Sequence, residues 1–232
     1  MRNYANNNLD VTNPAPRCPV VLLLDTSGSM SGAPISELNQ GVRQFLEETK
    51  NDEAASMSVE LEIITFDDRA SRVIPFKPIA NVYAPPPFGA HGMTSMGAAL
   101  WMATADLKAR RELYHKNGVS CYRPWVVLMT DGGPNDEWRS AAREMREMGE
   151  RGRIQYIGIE IGRRADHGTM CQILPANSEP VRLQGLRFKQ FFRWLTDSLR
   201  SVSQSTPAQE MSGGVQLANP ESWADLTGFA NR

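Results

Sequence analysis

The stretch VVLLLDTSGSM, residues 20–30, runs five apolar residues into a single aspartate and then gives every position up to Met30 to a small or hydroxylated side chain. A continuous apolar run of this kind reads as a strand buried on both faces, the type that occupies the middle of a parallel sheet. Asp25, Thr26, Ser27 and Ser29 then fall in the loop at its carboxyl end. In an open α/β sheet that end is where ligands bind.

The rest of the chain extends the pattern. WVVLMTD (125–131) and IQYIGIEIG (154–162) are also nearly continuous in apolar residues, and PVRL (180–183) is a short last candidate. SVELEIITF (58–66) and RASRVIPF (69–76) alternate more clearly, so they are expected to form a hairpin turned through DDR toward one sheet edge. Helical spacing links Ile35, Leu38, Val42, Phe45, Leu46 and Thr49, then Met96, Leu100, Ala103, Leu107 and Tyr114. Two further stripes are Trp138, Ala141, Ala142, Met145 and Met148, and Phe188, Phe191, Phe192, Leu195, Leu199 and Val202. Strands alternating with amphipathic helices predict a three-layer, Rossmann-like α/β fold, with a mostly parallel sheet between two helical layers.

The chain divides into an N-terminal extension (1–17), one domain (18–204) and a tail (205–232) rich in Gly, Pro, Ser and Asn. The apolar residues of the tail, Val215, Leu217, Trp223, Leu226 and Phe229, either dock on the domain or await a partner. With 25 Lys and Arg against 26 Asp and Glu the formal charge is −1, which gives no sign of a polyanion-binding surface, so nucleic acid is not expected as a partner. Cys18, Cys121 and Cys171 form no CxxC pair; they are expected to be buried or half-buried thiols in a reducing compartment. The polar N-terminus and the shortness of the apolar run after it predict neither a signal peptide nor membrane insertion, and hence a cytoplasmic protein.

Three polar loops lie at strand ends or helix starts: DTSGSMSG, GMTS and TDGGPND. Together they supply Asp25, Ser27, Ser29, Thr94 and Asp131, two carboxylates and three hydroxyls. An all-oxygen set suits a hard divalent cation, Mg²⁺ first, with Ca²⁺ and Mn²⁺ as alternatives, and does not suit zinc. Hydroxyls are weak donors, so the cation keeps an appetite for an outside carboxylate. Thr26 falls out of the set because the alternation aims it elsewhere. Turn chemistry accounts for Asp67 and Asp68, and an N-cap on the following helix for Asn135 and Asp136.

DTSGSMSG, followed by Thr94 before SMGAAL and by LMTDGGPND, resembles the von Willebrand factor type A domain and its metal-ion-dependent adhesion site. Within that family, GAPISELNQGVRQFLEE, ITFDDRA, the Pro-rich approach at 77–92 and FKQFFRWLTDSLRSVSQS look most like bacterial TerY-type proteins of tellurite resistance and chemical stress. The resemblance implies that Ser27, Ser29 and Thr94 meet the ion directly or exchange with water, that Asp25 and Asp131 act directly or through water, and that a partner's Asp or Glu completes the shell. It also implies work alongside protein kinases or phosphatases. Relatives usually carry paired glycines before the threonine, where this chain has Met93. His91, Met93 and Met30 are candidate partner contacts. The expectation is a non-enzymatic binding module; the alternatives are a Mg²⁺-dependent phosphohydrolase or phosphotransferase, and a scaffold whose ion is purely structural.

Overall fold

The computed structural model describes residues 9–162, 164–176, 178–220 and 223–224. In chain order the elements are β1 (Cys18–Asp25), α1 (Ala33–Asn51), α2 (Glu53–Ser58), β2 (Val59–Phe66), β3 (Ala70–Pro78), α3 (Met96–Lys116) and β4 (Trp125–Thr130). After them come α4 (Arg139–Glu150), β5 (Gln155–Glu160), α5 (His167–Ile173), β6 (Val181–Arg182), α6 (Phe188–Ser203) and α7 (Pro207–Met211).

The six strands are ordered β3-β2-β1-β4-β5-β6. Every neighbouring pair is parallel except β2 with β3. The chain builds outward from β1 on one side and then outward from β4 on the other, so the strand order reverses between β1 and β4. Their carboxyl ends flank the crevice where doubly wound sheets bind ligands. Along β1, Val20, Leu22 and Leu24 join a core with α1 and α6, while Val21 and Leu23 join a second core with α3, α4 and α5. That division is why residues 20–24 had to be apolar without a break.

The hairpin forms as its alternation foretold, with β3 on the edge. However, β2 is buried along its whole length, so Glu60 and Glu62 do not face water. Their alternation with apolar neighbours reflects a buried polar cluster against α3. Arg110 Nε donates to Glu60 Oε2 over 2.6 Å, Tyr114 donates to the same oxygen, and Arg17 lies 3.5 Å from Oε1. Glu62 is less well served. Arg72 is 3.9 Å away and Glu62 Oε2 has no hydrogen-bond partner among the described residues. Burial first, then the neighbouring Asp106, pushes its carboxyl well above the usual range.

A carboxyl raised in the folded state loses stability as pH climbs past the ordinary glutamate range, where the unfolded chain ionises first. Glu62→Gln is therefore expected to stabilise the protein at neutral pH by about 1–3 kcal/mol, the usual cost of a poorly satisfied buried polar group. The gain should vanish at pH below that range. Denaturant midpoints of the two proteins across pH check it.

Three short helices escaped the periodicity. α2, with six residues, is held by a cap, Asp52 Oδ1 accepting from Ala55 N–H at 2.8 Å. α5 and α7, with seven and five residues, are likewise too short to display an apolar stripe. Because α5 turns one face outward, Cys171 is exposed, which corrects the expectation of buried or half-buried thiols; Cys18 is buried and Cys121 lies between.

Part of the tail packs on the α6 layer. Trp223 is 1% exposed and meets the Phe191 and Trp194 rings at centroid distances of 4.9 and 5.1 Å. Trp194 Nε1 donates to the Ala218 carbonyl at 2.7 Å, and Val215 and Leu217 pack against the same core. Leu226 and Phe229 lie outside the described residues.

Candidate metal centre

Asp25 is the last residue of β1 and is fully buried. Its Oδ1 accepts the Ser27 N–H at 2.8 Å and its Oδ2 accepts the Thr130 hydroxyl at 2.6 Å. Thr130 ends the neighbouring strand β4, so the two strands at the reversal of order clamp one carboxylate from both sides. From Ser27 a chain of oxygens runs outward: Ser27 Oγ lies 3.1 Å from Ser29 Oγ, which donates to Asp131 Oδ1 at 2.6 Å. Four of the five candidate residues are thereby joined. Burial is the largest cause lifting the Asp25 carboxyl above its usual range, the Ser27 and Thr130 hydrogen bonds oppose it, and the charge of Asp131 adds to it. Among the described residues no cationic side chain pairs with Asp25.

Thr94 joins through its loop. It is 6% exposed, just before α3. Asn135 Oδ1 accepts the Thr94 N–H at 3.1 Å, and Asn135 N–H donates back to the Thr94 carbonyl at 3.0 Å. That reciprocal pair locks the Thr94 loop to the loop carrying Asp131. On the other side, Gly28 N–H donates to the Gly92 carbonyl at 3.1 Å and His91 N–H to the Thr26 carbonyl at 3.0 Å. All three polar loops are thus stitched together by main chain.

Several supporting residues had other readings in the sequence. Asp136 caps a helix, but the helix is α3 and not the following α4: its two oxygens accept Gly97 N–H at 2.9 Å and Ala98 N–H at 2.8 Å. Asp67 does shape the hairpin turn, accepting Arg69 N–H at 3.3 Å. Asp68 instead reaches across to Met93 N–H at 2.9 Å, and an added Cβ on Gly92 would sit 2.5 Å from its carboxylate. With φ of +69° and that contact, Gly92 has two reasons to lack a side chain. Met93 needs no such freedom; its side chain points outward, 55% exposed, beside exposed His91. Met30 is fully buried in the core and so cannot touch a partner, which corrects its assignment as a contact. Thr26 turns away as expected, toward the Phe66 carbonyl and Asp67. Thr130 was missed, although a hydroxyl closing an apolar run beside Asp131 was its signal.

An added Cβ at Gly97 would lie 2.1 Å from the Glu137 carbonyl oxygen. Gly97→Ala must therefore push α3 off the 135–138 loop, at a cost of about 1–3 kcal/mol as for other overpacked sites. It should also weaken any ion affinity, because Thr94 and Asp131 move apart. Thermal denaturation with and without Mg²⁺ measures both.

The profile of the von Willebrand factor type A domain matches residues 20–184. The chain belongs to that family. By sequence, no curated protein matches it. Among solved structures, a von Willebrand factor type A protein from Catenulispora acidiphila superposes with a TM-score of 0.58 at 14% identity, over 80% of this chain and 43% of that one. The pilus adhesin SpaC of Lactobacillus rhamnosus GG, in its open conformation, superposes with a TM-score of 0.64 at 15% identity, over 85% of this chain and 31% of that one. Proximal thread matrix protein 1 from the mussel byssus, with a zinc-occupied MIDAS motif, gives 0.53 at 16% identity, over 82% and 47%. This chain spans less than half the length of each, and at these identities the likeness is one of fold.

Proposed function

We propose that Asp25, Ser27, Ser29, Thr94 and Asp131 hold one divalent cation, and that the protein uses it to bind a partner protein through the partner's Asp or Glu. The observation that carries this reading is a fully buried Asp25 carboxylate set beside Asp131, with no paired side-chain cation among the described residues, in a nest of hydroxyl oxygens. Burying a charge is costly unless something compensates it, and a 2+ ion would balance both carboxylates.

The all-oxygen donor set suits a hard cation, Mg²⁺ first, with Ca²⁺ and Mn²⁺ as alternatives. When bound, the cation would supply Lewis acidity to an incoming carboxylate; the chain's own part is to fix the donors, and the exposed rim of His91 and Met93 meets the partner's surface. Among the described residues no cluster of three or more His, Cys, Asp or Glu offers a competing metal site. We read the centre as non-catalytic, since none of its hydrogen bonds engages a histidine, lysine or cysteine as base or nucleophile.

The finer assignment is a cytoplasmic adaptor of bacterial tellurite or chemical stress, working with a kinase or phosphatase. Its support is the TerY-type resemblance of the segments quoted above. Capture of partners on immobilised full-length protein, with Mg²⁺ or with chelator, tests the function: retention that depends on Mg²⁺ and fails for Asp25→Ala is expected. Equal retention by both proteins would overturn the binding role, and turnover of a phosphate ester lost with Asp25→Ala would make the protein an enzyme.

A further inference from the structure

At the carboxyl ends of β5 and β6, one strand over from Thr130 at the end of β4, lies a second cluster that the binding role does not use. Glu160 closes β5 and is 1% exposed. Its Oε2 is 3.0 Å from Arg182 Nη2 on β6, and its Oε1 is 2.6 Å from His167 Nδ1 at the start of α5. One helical turn on, Cys171 places Sγ 3.4 Å from His167 Nε2. With Arg182 on its other oxygen, Glu160 serves as an acceptor for the Nδ1 proton. The free lone pair of the ring is then at Nε2, facing the thiol.

Thiol, imidazole and a buried orienting carboxylate in series are the parts of an activated nucleophile. A bare i, i+4 contact on a surface helix would need no buried acid behind it. The thiol is also reachable, for Cys171 is exposed and the His167 side chain is 59% exposed.

We propose that Cys171 is a site of reversible covalent modification by low-molecular-weight disulfides, with His167 as its base and Glu160 as the group that orients that base. His167 Nε2 takes the S–H proton and the thiolate attacks one sulfur of the disulfide. The reagent's S–S bond breaks as the Sγ–S bond forms, and the departing thiolate recovers the proton from His167. Protein thiol and disulfide become mixed disulfide and one free thiol, with no other oxidant required. Burial first, then the charges of Glu160 and Glu179, holds the Cys171 thiol above its ordinary value. Spontaneous thiolate is therefore scarce, and the reaction depends on the transfer to His167.

The test is incubation of full-length protein with oxidised glutathione at neutral pH, followed by intact mass and peptide mapping. The expected result is one adduct, on Cys171, formed faster in the folded protein than in the same protein unfolded in urea. His167→Gln should slow it by at least about tenfold, within reach of the roughly 100- to 10,000-fold of general-base assistance, while both proteins react at the same rate once unfolded in urea. Modification of His167→Gln at the wild-type rate, first reaction at Cys121, or faster reaction in urea would each overturn the proposal.

Discussion

Asp25→Asn is expected to cost the protein at least about 100-fold in Mg²⁺ affinity, since even supporting residues around metal sites cost about 10–100-fold, and to raise its melting temperature when no ion is present. The two effects have one origin. Wild-type Asp25 is a fully buried carboxylate that feels Asp131 and has its charged form penalised by burial. An amide of the same shape still accepts from Ser27 N–H, and Thr130, which also lies 3.2 Å from the Gly132 carbonyl, can redirect its hydroxyl there. The variant escapes the charge penalty but loses the anion. Saturating Mg²⁺ at about 100 times its dissociation constant should stabilise the wild type by about 2.7 kcal/mol, and Asp25→Asn by almost nothing. Thermal unfolding of both proteins, chelated and Mg²⁺-loaded, reads the crossover. A variant that melts lower than wild type without ion and gains as much from Mg²⁺ would count against it.

The second large effect concerns the tail. Trp223→Ala should destabilise the domain by about 3–5 kcal/mol, the range for emptying a buried aromatic site. Trp223 lies between Phe191 and Trp194, and its carbonyl accepts Gln184 N–H at 2.9 Å, joining the tail to the segment after β6. Its indole Nε1 has no hydrogen-bond partner among the described residues, so Trp223→Phe should retain much of the stability. Denaturant midpoints for the three proteins decide it. If Trp223→Ala unfolds at the wild-type midpoint, the tail contributes nothing to the fold.

Much of the architecture was legible because it rests on strong local signals. Five consecutive apolar residues before Asp25 have no role except a strand covered on both faces, and TDGGPND after a similar run places Asp131 on a neighbouring strand end. The four long helices show sustained stripes because each buries one face for three turns or more. Alternation alone cannot distinguish a solvent-facing row from one that meets buried partners, as Glu60 shows. Those partners, Arg17 and Arg110, are 43 and 50 residues from Glu60 in sequence, since 60 − 17 = 43 and 110 − 60 = 50.

At the site, types and order of ligands could be read because DTSGS and TD are local. What the sequence hid were the bonds between loops. Asp136 capping α3, Asn135 clasping Thr94 and Asp68 holding Met93 N–H all join segments that are distant along the chain. Met30 was misplaced for a related reason: it follows a polar loop, yet the turn at Gly28–Met30 swings it back into the core.

The central claim is a built cation site, and calorimetric titration of Mg²⁺ into chelator-treated full-length protein tests it most directly. The expected result is one saturable site per chain, weaker for Thr94→Ala and absent for Asp25→Asn. No saturable heat at millimolar Mg²⁺, or an unchanged isotherm for Asp25→Asn, would contradict it.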